Sequence, residues 1–389
     1  MSKPIHTYLD LDVVNNNLIS DSIAPALRFE ETRNTPFLEG DTSEYFAAII
    51  RFSIQTGNSL PIFIPRIQAG QDDVDLTVYK VTLTVFASDG HLYESTTTVR
   101  HVTADQTADR PRTPFAQQDL AGTYYYQYSA TAIVSMFNTA LNTAWINLLA
   151  TIFLASPKEL WPSVNAAYVP FFEFDADKCR LVLNIDQSFV DGKSPNGKFD
   201  GLLYFNTRLY ELVSGLACDR VSRAGDGNYL FTPDLKSTRS LKDEGGTTHT
   251  LYSTVQEMSS MAIWNPIASI VFCTGMLPIV STNTSPPLTY GDTTNNNLTS
   301  NGNNSNLTNI ISDFEIPVSE TNQYRPVIVY NPAAEYRLID MHSALNLNRI
   351  DISVFCKTHF GEYIPLRLQP GCAAHIKLMF RHKTFYLGY

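Results

Sequence analysis

From Glu44 onward, short runs of alternating apolar and polar residues recur along the chain, separated by Gly, Asn, Asp, Ser and Pro. In "EYFAAIIRFSIQT" the alternation places Phe46, Ala48, Ile50, Phe52 and Ile54 on one side of a predicted strand. "LPIFIPRI" reads as a second strand after a Gly57-Asn58-Ser59 turn. "DLTVYKVTLTVFA" and "HLYESTTTVRHV" flank Ser88-Asp89-Gly90, the signature of a hairpin. "AAYVPFFEF", "CRLVLNI" and "KFDGLLYF" follow as strands, the last leading into a short helix around "NTRLYELVSG". The remainder predicts strands in "GNYLF", "THTLYSTVQ", "ASIVFCTG", "DFEIPVS", "RPVIVY", "EYRLIDM", "IDISVFC", "YIPLRL" and "AHIKLMFRH". In the last, Ile376, Leu378 and Phe380 form a buried face, while His375, Lys377, Met379 and Arg381 form a polar one.

One stretch departs from this rhythm. Between Asp119 and Lys158 no residue is charged, and Ile133, Phe137, Leu141, Ala144, Leu148 and Ile152 recur at helical spacing, widened by Met136, Trp145 and Leu149. The pattern predicts a helix from about residue 128 to 155, stopped by Pro157. Asn138, Asn142 and Asn147 would be costly in hydrocarbon, and no Lys or Arg flanks the run closely, so the expected setting is protein on most of its surface rather than a bilayer. Residues 281–309, rich in Ser, Thr and Asn, predict a polar surface loop, and residues 1–40 a polar N-terminal arm.

Composition supports a β protein: 20 Tyr and 22 Phe stand against only 17% charged residues in 389. Short strands in this number suggest sandwiches or barrels. A formal charge of −10 without a Lys/Arg block argues against direct nucleic-acid binding. The N-terminal "MSKPIHTYLDLDVVNNN" lacks the apolar core of a secretory signal, so synthesis in the cytosol is expected. Cys179, Cys218, Cys273, Cys356 and Cys372 are scattered and unpaired in spacing, as buried free thiols would be.

Candidate chemistry is sparse. "GKSPNGKF", Gly192 to Phe199, matches the phosphate-loop spacing, but Phe199 replaces the Mg²⁺-binding hydroxyl and a strand rather than a helix follows. The eight histidines show no metal-ligand spacing, and His375 and His382 fall along a strand and its end. Glu173, Asp175 and Asp177 lack the glycine and closing glutamate of a calcium loop and read as a solvated acidic edge. The Asn-x-Ser/Thr triplets at Asn283, Asn297, Asn303 and Asn306 read as loop composition. No catalytic, cofactor-binding or metal-binding residue is assigned, and the chain is not expected to be an enzyme.

Three segments carry a resemblance: "YFAAIIRFSIQTGNSLPIFIPRI", "MAIWNPIASIVFCTGMLPIV" and "YRPVIVYNPAAEYRLIDM" with "LQPGCAAHIKLMFRHK". Together the chain resembles jelly-roll capsid proteins of small DNA viruses, as found in virophages, polinton-like viruses and the tectivirus and adenovirus lineage. The resemblance implies an all-β protein of two tandem jelly rolls, residues 41–205 and 206–389, with the long helix in a connection. Its alternative is a single jelly roll with an inserted β domain. The implied role is a virion protein that self-assembles with itself and other capsid proteins into an icosahedral shell. Two jelly rolls would make it a major capsid protein of pseudo-hexameric trimers, and one would make it a vertex protein of pentamers. A third reading is a β-sandwich attachment or carbohydrate-binding protein using exposed aromatics such as Tyr124 to Tyr128.

Overall fold

The computed structural model describes residues 5–17, 24–55, 60–86, 91–112, 118–120, 122–155, 167–191, 201–223, 227–280, 288–290, 298–300, 309–316, 327–332 and 337–385. The described residues fall into two compact units, one drawn from 1–60, 266–318 and 324–389, the other from 61–265. The first unit begins with β1 (His6–Val14), β2 (Arg28–Thr32) and β3 (Tyr45–Gln55). The second carries β4 (Leu76–Phe86), β5 (Leu92–Arg100), helix α1 (Ala130–Ala155), β6 (Phe171–Asp175) and β7 (Arg180–Asp186). It continues with α2 (Gln187–Val190), β8 (Gly201–Phe205), α3 (Thr207–Leu212), β9 (Cys218–Arg220) and β10 (Tyr229–Phe231). β11 (Thr238–Lys242), β12 (Thr248–Val255) and α4 (Ser260–Trp264) complete it. The first unit then resumes with β13 (Ile267–Thr274), β14 (Leu288–Tyr290), β15 (Leu298–Ser300), β16 (Asn309–Glu315) and β17 (Val327–Tyr330). It closes with β18 (Ile339–Asp340), β19 (Arg349–Thr358), β20 (Tyr363–Pro365) and β21 (Ala373–His382).

The eight longest strands of the first unit form two antiparallel sheets, β1-β21-β3-β17 and β2-β19-β13-β16. Numbered one to eight along the chain, these strands are ordered 1-8-3-6 and 2-7-4-5, the arrangement of one jelly roll. Phe52 of β3 reaches across the sandwich to Phe29 of β2 at 6.5 Å and Phe272 of β13 at 5.0 Å, both edge-to-face. The second unit is wired differently. Its sheets, β5-β4-β8-β10-β9 and β11-β12-β7-β6, are built largely from hairpins of consecutive strands.

The all-β jelly-roll class therefore holds, with one jelly roll interrupted between β3 and β13 by a hairpin-built β unit rather than two jelly rolls in tandem. The expected boundary at 205/206 runs through a sheet, because Phe205 of β8 pairs with Tyr229 of β10. Nor do residues 1–40 form only an arm, since β1 and β2 each complete a sheet. Their sequences read as polar because alternate positions of β1 face outward: Leu9 and Leu11 are buried, while Asp10 and Asp12 meet Lys377 and His375 on β21.

Two strand readings also change. "LPIFIPRI" makes only isolated bridges from Phe63 and Ile67, since Pro61 and Pro65 cannot donate to a ladder. In β3 the pairing with β21 skips Ile50, a bulge that reverses the alternation. Tyr45, Ala47 and Ile49 are buried before it and Phe52 and Ile54 after it; of the expected Phe46, Ala48 and Ile50, only Ala48 is buried. On β21, Met379 is buried as well, though the alternation assigned it to the polar face. Within 281–309, β14 and β15 pair antiparallel, and the other residues of that stretch up to 308 lie outside those described.

α1 spans one open side of the second sandwich, packing on β5 and β4 of one sheet and on β6 of the other. Eleven of its residues are buried, among them Ile133, Phe137, Leu141, Ala144 and Leu148. Length and composition alone would let it pass as a membrane span. Burial covers one face rather than most of the surface: Thr139, Asn142, Thr143, Ile146 and Asn147 are exposed. On the buried side Asn138 behaves like a neighbouring strand. Its amide donates to the Phe172 carbonyl at 2.9 Å and accepts the Phe172 N–H at 2.7 Å, occupying the free edge of β6. Beneath the sheet, a Cβ on Gly201 would run into the Phe189 ring of α2, so only glycine fits where β8 begins.

Candidate functional site

Catalysis would require a nucleophile, an acid–base pair or a metal cluster assembled by the fold. Among the described residues the nearest approach lies where β7 ends beside β12. Asp186, almost fully buried, places Oδ2 2.8 Å from Nδ1 of His249, and the other ring nitrogen lies 3.4 Å from Asp243 Oδ2 in the β11–β12 turn. Asp186 also accepts the backbone N–H of Tyr168 and of Ser188, each at 2.8 Å, the latter capping α2. The Thr247 amide, helped by His249, holds the Asp243 carboxyl below the usual carboxylate range. Both imidazole nitrogens thus face carboxylates, leaving neither to deprotonate a nucleophile. The trio ties the β11–β12 turn to β7. Asp186 and His249 lie 63 residues apart, so no local spacing announces them.

The residues singled out from sequence are dispersed. Glu173 pairs with Arg239 at 2.7 Å, and Asp175 accepts the backbone N–H groups of Asp177 and Lys178 while pairing with the Lys178 ammonium. No group of three or more His, Cys, Asp or Glu suited to a metal occurs among the described residues. His375 and His382 lie on β21 as expected, facing Asp12 and Glu44. The Gly192–Phe199 segment lies outside the described residues, as do Asn283, Asn297, Asn303 and Asn306. All five cysteines are free. Burial pushes the Cys218, Cys273 and Cys356 thiols up to about 12 and raises Cys179, keeping them protonated and poorly nucleophilic. Tyr125 and Tyr126 are buried, Tyr124 and Tyr128 are half-buried, and the Tyr124 hydroxyl donates to Asp75, so the tyrosine run is not a row of fully exposed rings.

On the outer face of the β1-β21-β3 sheet, Asp10 is held by Arg51 at 3.3 Å and Lys377 at 3.2 Å. On the other sheet Arg349 pairs with Glu30, and Arg28 lies 3.6 Å from Asp351. These four cations are thus matched to carboxylates within the subunit. The exposed side of α1 carries no charge, and the hydroxyls of Thr139, Thr143 and Thr151 turn back onto carbonyls four residues earlier, each at 2.8 Å.

A chain in the cryo-EM structure of the Sputnik virophage superimposes over 100% of both chains with a TM-score of 0.75 at 21% identity. The crystal structure of the mavirus penton protein matches over 97% of this chain and 99% of its own, with a TM-score of 0.57 at 14% identity. The uncharacterized protein V18 of Sputnik virophage is 29% identical over 142 residues, covering 34% of this chain and 79% of that protein. The family described as Sputnik minor capsid protein V18/19 matches residues 7–382, from the first strand of the jelly roll to its last. A match of that extent places the chain in the V18/19 family of virophage minor capsid proteins.

Proposed function

We propose that this capsid protein occupies the vertices of an icosahedral shell as a ring of five identical subunits. The observation that carries the reading is the wiring of the sheets: β1-β21-β3-β17 and β2-β19-β13-β16 make one jelly roll per chain, and the inserted unit follows a different strand order. A pseudo-hexagonal trimer needs two jelly rolls from each of three chains, whereas a five-fold ring needs only one from each of five. The likeness to the mavirus penton protein supports the same reading. The role is structural, with other capsid proteins as neighbours and no enzymatic step. Direct genome binding is not part of it, because the outer-face cations Arg51, Lys377 and Arg349 are already paired with carboxylates.

Closed rings bury extensive interfaces between like subunits, so the assembly should persist on dilution. Native mass spectrometry of the purified protein counts the chains. Five supports the vertex role, three returns the major-capsid reading, and a stable monomer at micromolar concentration argues against a ring.

A further inference from the structure

Between β5 and α1 the chain makes an excursion whose buried centre is a histidine. His101 is 4% exposed, and its ring packs against those of Tyr124 and Tyr125, with centroids 5.5 and 5.2 Å away. Nε2 lies 2.9 Å from the Tyr124 carbonyl oxygen. A carbonyl only accepts, so Nε2 carries the proton and the neutral ring leaves a lone pair on Nδ1. That nitrogen has no hydrogen-bond partner among the described residues. The surrounding ties converge on one segment. Tyr124 donates its hydroxyl to Asp75 and Tyr125 donates to the Val74 carbonyl. The Gln127 amide donates to the Val102 carbonyl, and its backbone exchanges hydrogen bonds with Phe63 and Ile62. Three residues after Gln127, α1 begins.

We propose that His101 is an acid-sensitive latch, closed while its imidazole is neutral, which holds residues 123–128 and the first turn of α1 in place and releases them when Nδ1 takes a proton. A proton on Nδ1 would create a buried N–H without an acceptor on a charged ring. Asp75 is the carboxylate whose charge acts on His101, and its oxygens accept the Tyr124 hydroxyl and the Arg110 guanidinium. Arg100 is paired with Asp73 at 2.6 Å, Asp105 is bound to Thr107 and Thr123, and Asp119 lies toward Tyr125. α1, whose Met136 sulfur accepts the Val102 N–H, offers no ionisable side chain.

Burial lowers the proton affinity of His101 below the ordinary histidine value, opposed in part by the Tyr124 carbonyl and the Asp75 charge. The sign follows. Above about pH 6.5 the imidazole is neutral whether the segment is closed or open, and the latch holds. Below it the open form takes a proton that the closed form refuses, so opening gains up to about tenfold per pH unit until the closed ring also titrates.

Hydrogen–deuterium exchange of the full chain between about pH 7.5 and 5, corrected for intrinsic exchange, reads this directly in peptides spanning 118–136. In the wild type, protection there should fall below about pH 6.5, while the β4–β8 ladder stays protected. His101→Gln keeps an amide donor for the Tyr124 carbonyl but cannot titrate, and its profile should be flat. Parallel loss in both proteins, or a flat wild type, overturns the latch. Should the variant fail to fold, NMR titration of labelled histidines in the wild type replaces it: opening that tracks His101 protonation supports the proposal, and opening without it refutes the proposal.

Discussion

The two units reach the same architecture, a two-sheet sandwich, by opposite routes. In the inserted unit β4 pairs with β5, β6 with β7, β9 with β10 and β11 with β12, so most ladders close over short loops. In the jelly roll only β13 and β16 pair as sequence neighbours among the eight principal strands, and β1 meets β21 across contacts such as Asp12–His375, 363 residues apart. The first route is local and legible, while the second postpones its rewards until the chain has come around. The inserted unit should therefore tolerate events in the jelly roll better than the jelly roll tolerates loss of either of its ends.

The largest test removes residues 1–40. If the jelly roll needs β1 and β2, exchange protection across β3, β19 and β21 should collapse while β4, β8 and α1 remain protected; persistent protection of β21 would break the comparison. Next comes Leu141→Asp, which buries an unpaired charge in the inserted unit and should cost about 4 kcal/mol or more by denaturant melting. Phe52→Ala should cost about 3–4 kcal/mol through the ring cluster that joins the jelly-roll sheets. Asn138→Ala strips the edge of β6 of both its amide partners and should cost about 1–3 kcal/mol, whereas Asn142→Ala, on the exposed face, should stay within about 0.5 kcal/mol. The smallest effect concerns Glu30, whose carboxyl is held below its ordinary value by hydrogen bonding to Arg349 and by the nearby Arg28 charge. Its contribution is present above the ordinary carboxylate value, about 4.5, and fades as acid protonates the folded state. Glu30→Gln should flatten that part of the acid-unfolding curve, with its small loss of stability present at neutral pH and vanishing in acid.

The same contrast decides what could be read from sequence. The β4–β5 hairpin, the short helix α3 and the extent of α1 were legible, because their signals lie within one or two elements. β1 and β2 were not, because Asp10 and Asp12 read as solvent-facing until Lys377 and His375 arrive from the far end of the chain. The phase of β3 was hidden by the Ile50 bulge, which exists only in register with β21. Periodicity located the buried stripe of α1 but not the use of Asn138, whose amide serves a strand 34 residues later. The Asp186–His249–Asp243 contact and the orphaned nitrogen of His101 left no local trace at all.

Placing β21 between β1 and β3 also sets a timetable. At typical synthesis rates of about 5–20 residues per second, β1 waits roughly 20–70 s for its partner to emerge, while the hairpins of the insert can close as they leave the ribosome. Until then β1 and β3 have a gap between them instead of a neighbour. A nascent or truncated chain therefore displays a finished insert on an open scaffold, and only a chain read through β21 closes the sheet.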